Sequence, residues 1–134
     1  MRAALQSLGA ASDAERASLI QTQVYIGLND GVTKNQEFDT ERYVSVLKRV
    51  CVQYGVPFSF DVINGGYIHD DGEYTEENTI VLTFIDVSQE VIDEIAKDLC
   101  AFFRQESVLI TTSSIQARTI REVLGDDDLF DRSS

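Results

Sequence analysis

Two helical stripes of apolar residues, each lodged between segments of strand-like alternation, restrict the fold of this chain more than any other feature. Tyr43, Val44, Val46, Leu47, Val50, Cys51 and Tyr54 recur at the spacing of one helix face, and Gly55 supplies a left-handed stop behind them. Asp39 is placed to cap this helix, with Phe38 and Tyr43 as a hydrophobic staple around the cap. Val91, Ile92, Ile95, Leu99, Phe102 and Phe103 form a second stripe. Ser88 caps it, and Glu90, Asp93 and Glu94 lie where the N-terminal dipole favours acids.

The strands alternate at period two. Val24 and Ile26 alternate with Gln23, Tyr25 and Gly27 until Asn29-Asp30-Gly31 stops the run. After Pro57, which bars a helix, Phe58, Phe60 and Val62 alternate with Ser59, Asp61 and Ile63. Gly65-Gly66 is expected to kink or bulge this strand, which resumes through Tyr67 and Ile68 to a turn at Asp70-Asp71-Gly72. Thr79 to Val87 returns as a central strand, and Ser107 to Thr112 makes a fourth. The order β-α-β-β-α-β predicts an α+β, ferredoxin-like fold: a four-stranded antiparallel sheet with two helices on one face.

Around this unit, residues 1–21 read as an N-terminal extension with a short helix over Ala14 to Ile20, capped by Ser12 or Asp13. Residues 22–124 read as one α+β domain. Within it, Ile115, Ile120, Val123 and Leu124 allow either a fifth edge strand or a short helix. Residues 125–134 read as an acidic, disordered tail. A chain of 134 residues buries roughly 68% of its unfolded surface without a metal or disulfide. Cys51 and Cys100 lie in helical stripes and read as free thiols, too far apart to bridge. With no signal-like or membrane-spanning run, a cytoplasmic location is expected.

Tyr25-Ile26-Gly27-Leu28 and Phe103-Arg104-Gln105-Glu106-Ser107-Val108-Leu109 together resemble a family of small bacterial and phage proteins known only as a domain of unknown function. The resemblance covers roughly residues 23 to 112. It implies the fold and assigns no site.

The net charge of −12 is unevenly spread. Six acids and six bases balance over residues 1 to 60, whereas residues 61 to 77 hold Asp61, Asp70, Asp71, Glu73, Glu76 and Glu77 and no Lys or Arg. Such a surface repels nucleic acid and acidic membranes and attracts basic proteins. These six acids are the candidate partner-binding residues of a non-catalytic interaction module that engages a basic, nucleic-acid-binding protein. Its most concrete version is a phage-type inhibitor that mimics nucleic acid against a defence enzyme. The alternative is an oligomeric small-ligand-binding or regulatory domain. It would use the sheet face away from the helices, where Tyr25, Val81, Thr83, Ile85, Leu109 and Thr111 gather with Ser59 and Ile63, a face that a second copy would cover.

Catalytic arrangements are weak by comparison. His69 with Asp70, Asp71 and Glu73 lacks the alternate-position acids of a calcium loop, and neither cysteine is expected to reach His69. Asp61, Glu76 and Glu77 could pair as acid and base across the hairpin, but no cleft is evident from the sequence. The loop from Gly27 to Gln36, with Lys34, lacks the glycine spacing of a phosphate-binding loop. No enzyme activity, cofactor or metal is therefore expected.

Overall fold

The β-α-β-β-α-β order is realised, as β1 (Ala14–Gly27), α1 (Thr40–Tyr54), β2 (Ser59–Ile68), β3 (Tyr74–Ile85), α2 (Gln89–Phe103) and β4 (Leu109–Ile120). The computed structural model describes residues 14–68 and 70–125. His69, the Ser12 or Asp13 cap and the acidic stretch 126–134 lie outside the described residues. The chain divides into two compact units, Ile20–Ser114 and a smaller one drawn from both ends of the chain. The fold and the site described below belong to the first.

The sheet is antiparallel, in the order β2-β3-β1-β4. Residues on one side of it, Val24 and Ile26 of β1 and Ile80, Leu82 and Phe84 of β3, form a buried core with both helices and with Leu28 just past β1. The register places Val24 opposite Leu82 and Leu82 opposite Phe60, so the apolar rows of three strands align beneath the helices. The helices contribute Leu47, Val50 and Cys51 from α1 and Ile92, Ile95 and Leu99 from α2. Tyr43 and Phe103 meet edge to face, with ring centroids 5.0 Å apart, and tie the start of α1 to the end of α2.

The helix termini follow the sequence with one departure. Gly55 closes α1 at φ 68°, and the Ser88 hydroxyl accepts the Val91 amide at 3.3 Å. Asp39 stands at the cap position of α1 but its carboxylate takes no cap hydrogen bond. The staple is present instead, with the Phe38 and Tyr43 rings 6.0 Å apart and the Arg42 guanidinium 4.3 Å above Phe38.

Three expectations are corrected. Residues 14–20 are strand rather than helix, because pairing in the sheet overrides the helical propensity of an Ala, Glu and Arg segment. In the smaller unit the Gln116 side chain donates to the Ser18 hydroxyl at 3.0 Å. Ile115 and Ile120 belong neither to a fifth strand nor to a helix but to the second half of β4, and Val123 and Leu124 follow it without regular structure. Gly65-Gly66 makes no bulge: the β2–β3 register runs unbroken from Ser59 opposite Thr83 to Ile68 opposite Tyr74. Gly66 instead leaves room for the Tyr74 ring, which a Cβ there would strike.

Candidate functional site

The turn chemistry of Asn29-Asp30-Gly31 ends β1 and folds the following loop onto the junction between α2 and β4. Asp30 is only 5% exposed. Its Oδ1 accepts the amides of Val32 at 2.7 Å and Thr33 at 3.1 Å, and its Oδ2 lies 2.9 Å from Nε of Arg104. The Thr33 and Val32 amides, helped by the Arg104 and Lys34 charges, hold the Asp30 carboxyl below the ordinary carboxylate value against the opposing effect of desolvation. These bonds also dispose of the loop as a phosphate cradle. Its amides already hold an anion, and Lys34 Nζ donates to the Gly31 carbonyl at 2.6 Å.

The junction approaches from the other side. The Gly31 amide donates to the Arg104 carbonyl at 2.8 Å, and Gln105 Nε2 donates to the Asn29 carbonyl at 2.5 Å. Asn29 also reaches the hairpin, with its amide donating to Glu77 Oε2 at 2.9 Å and its side chain to the Glu76 carbonyl at 3.3 Å. Three chain segments thereby meet around a cleft of about 450 Å³. Asn29, Asp30, Gly31 and Lys34 line it from the loop, Glu73, Thr75 and Glu77 from the hairpin, and Gln105, Glu106 and Ser107 from the junction. Glu73, Thr75 and Glu77 are spaced by two along the chain. By strand alternation Glu77 shares the helix-free side of β3 with Val81 and Thr83.

With Asp30 matched by Arg104, the carboxylates of Glu73, Glu77 and Glu106 outnumber the one remaining cation among the described lining residues, Lys34, and leave the cleft anionic and rich in acceptors. Such a site suits a ligand that carries positive charge or several hydroxyl donors. Among the described residues there is no cluster of His, Cys, Asp and Glu side chains placed to hold a metal ion.

The six candidate acids do not share one surface. Glu73 and Glu77 line the cleft. Asp70 and Asp71 stay in the exposed hairpin loop, where Asp71 Oδ1 accepts the Glu73 amide at 2.9 Å. Glu76 is exposed beside Tyr74, whose hydroxyl donates to it at 3.3 Å and whose phenol its charge pushes above the ordinary tyrosine value. Asp61 stands apart, opposite Val81, which in turn faces Tyr25. It therefore lies on the helix-free sheet face that Glu77 shares, but four residues along β2 from Gly65, the cross-strand partner of Glu77, while Glu76 points to the other side, and the acid–base trio does not assemble.

Tyr25, Val81, Thr83, Ile85, Leu109 and Thr111 do lie on that face by strand alternation, since Val24, Leu82, Phe84, Val108 and Ile110 pack into the core. The face is more polar than the sequence reading allowed. Gln23 bridges two of its residues, donating to Thr83 Oγ1 at 3.3 Å and accepting from the Tyr25 hydroxyl at 3.1 Å. Ile85 and Leu109 are 45% and 61% exposed.

Sequence reasoning missed the cleft. Asn29-Asp30-Gly31 reads as a stop signal, and nothing in the sequence places it against Arg104 or Glu77. The string from Arg104 to Ser107 was visible only through a family resemblance.

No protein-family model and no curated protein matches the chain. Solved structures do. Phage SAM lyase in complex with S-methyl-5'-thioadenosine aligns at a TM-score of 0.55 and 20% identity, over 80% of this chain and 93% of that one. Phage SAM lyase in the apo state aligns at 0.56 and 20% identity, over 87% and 98%. A Bacillus subtilis GlnK–ATP complex aligns at 0.49 and 14% identity, over 79% and 85%. The likeness to the lyase is one of fold. It corrects the expectation of a non-catalytic module, because the arrangement read from the sequence as a binding scaffold is one on which an enzyme is built. Among the described residues, no helix is long and apolar enough to cross a membrane.

Proposed function

We propose that the protein is an enzyme that takes S-adenosylmethionine, or a closely related sulfonium nucleoside, into the carboxylate-lined cleft and cleaves it to S-methyl-5'-thioadenosine. The observation that carries this reading is the meeting of Glu73, Glu77 and Glu106 at one cleft. A shared fold with a SAM lyase that holds the thioether product supports it. The chemistry of the substrate agrees with the site. A sulfonium and an ammonium are both cationic, and ribose presents two neighbouring hydroxyl donors, so an anionic, acceptor-rich cleft meets both halves.

Cleavage breaks the bond between the sulfonium sulfur and the aminobutyrate carbon, and the electron pair leaves on sulfur as a neutral thioether. No acid is needed for that leaving group. The carbon chain closes its valence either by a double bond, with a proton passing to a base, or by a ring through its own carboxylate; both outcomes balance without a second reactant. The chain's contribution is orientation. The Glu77 carboxylate is fixed through Oε2 on the Asn29 amide at the cleft, while Gln105 is held by the Asn29 carbonyl on the facing wall.

Titration calorimetry with S-methyl-5'-thioadenosine tests the site. Saturable binding that weakens about tenfold or more in Glu77→Gln is expected, because a charged acceptor is replaced by a neutral amide. Wild-type affinity in both Glu77→Gln and Glu73→Gln would place the ligand elsewhere.

A further inference from the structure

We infer that Asp30 and Arg104 form a catch that holds the two loop walls of the cleft in register, which makes both of them positioning residues for the sulfonium nucleoside of the reading above, on which this inference rests for its ligand. Arg104 ends α2 at φ 54° and ψ 47°, the left-handed conformation for which glycine is the usual choice. The corresponding stop of α1 is indeed a glycine, Gly55 at φ 68°. Helix termination alone therefore favours glycine at residue 104, and the arginine needs another reason.

Its side chain supplies one. Nε lies 2.9 Å from Asp30 Oδ2, and while the Arg104 side chain is 60% exposed, that of Asp30 is 5% exposed. The exposed partner makes the pair a weak source of stability, since water screens it. The buried partner makes it a strong source of position, because a carboxylate in that setting is costly to leave without its cation. The backbones are tied at the same point by the Gly31 amide on the Arg104 carbonyl, where a Cβ on residue 31 would come within 2.8 Å of that oxygen. Asn29, which seats Glu77, immediately precedes Asp30, and Gln105, which lines the facing wall, immediately follows Arg104. Closing the catch thus sets the separation of the two walls.

The test uses the intact chain and two variants. Arg104→Gly removes the side chain but keeps a residue suited to the left-handed turn, so the helix end is preserved; Arg104→Lys restores charge without the guanidinium. Amide hydrogen exchange in the unliganded protein should quicken about tenfold or more at Gly31 and Thr33 in Arg104→Gly, with Ile26 and Leu82 of the sheet unchanged. The dissociation constant for S-methyl-5'-thioadenosine should rise about tenfold in the same variant, with Arg104→Lys between it and the wild type. Unchanged exchange at Gly31 overturns the catch. Faster exchange with an unchanged dissociation constant overturns its positioning role. A wild-type protein that binds no S-methyl-5'-thioadenosine overturns the functional reading instead, and exchange alone then decides whether the catch exists.

Discussion

The carboxyl group of Glu77 occupies the space that a side chain at Gly27 would fill, and from there Oε2 accepts the Asn29 amide at 2.9 Å. A glycine in the last position of β1 and an acid on the neighbouring strand are therefore one feature. The missing side chain lets the carboxylate cross the strand end and enter the cleft.

Replacing Gly27 with alanine should displace Glu77 without unfolding the protein. The obstruction is the end of a flexible side chain, and Gly27 has no positive φ, so alanine is otherwise acceptable there. Urea unfolding should shift by less than about 1 kcal/mol. The amide resonance of Asn29 should move and affinity for S-methyl-5'-thioadenosine should fall about tenfold. An unaltered affinity would separate Glu77 from ligand binding.

Acid should open the loop through Asp30. Its carboxyl is held below the ordinary value by the Thr33 and Val32 amides and by Arg104, so the folded state favours the ionised form. That contribution is fully present above the unfolded carboxylate value of about 4 and is lost as pH falls through the lower folded value. Denaturant midpoints measured across this acid range should fall less steeply in Asp30→Asn than in the wild type. Parallel curves would show that Asp30 ionisation is not linked to folding.

Base should act through Cys51. Desolvation pushes this buried thiol up to about 11, while in the unfolded chain it ionises near 9.0. The stabilisation of the protonated form is therefore intact below the unfolded value and is lost as pH rises from 9.0 to about 11. Titration with an aromatic disulfide reagent near neutral pH should find Cys51 unreactive until denaturant is added. Cys100, half-buried and raised in the same direction, should react slowly. Rapid reaction of both thiols in the native state would contradict the packing of α1.

The stripes and alternations of the sequence carried the fold because they report burial, with Phe102 of the second stripe, 62% exposed, the exception. Leu82 and Phe84 read as inward and are buried, and Ile85 reads as outward and is half-exposed. Local propensity misled where tertiary pairing decided, as in residues 14–20, and where a glycine served a neighbour rather than a bend, as in Gly66 beneath Tyr74. The cleft was illegible for a different reason. Its three segments lie 28 or more positions apart in sequence, and the bonds that join them, Asn29 to Glu77 and Asp30 to Arg104, follow from topology alone. Charge counting found Glu73 and Glu77 but grouped them with Asp61, which the register pairs with Val81, four residues along β3 from Glu77 and outside the cleft lining.

Two substitutions in β3 check that assignment of faces. Leu82→Ala removes a wholly buried side chain between Val24 and Phe60 and should cost about 2–5 kcal/mol. Ile85→Ala, three residues further on and 45% exposed, should cost less than about 1.5 kcal/mol. Equal losses in urea unfolding would mean that the helix-free face is covered.

Turnover of S-adenosylmethionine decides whether the protein is an enzyme. The purified wild-type protein and Glu77→Gln should each be incubated with S-adenosylmethionine and the products followed by chromatography and mass spectrometry. The wild type should release S-methyl-5'-thioadenosine in amounts exceeding the enzyme present, together with a four-carbon amino-acid product, and Glu77→Gln should release far less. S-adenosylmethionine recovered intact from the wild-type reaction, or equal turnover by the variant, would contradict the proposed function.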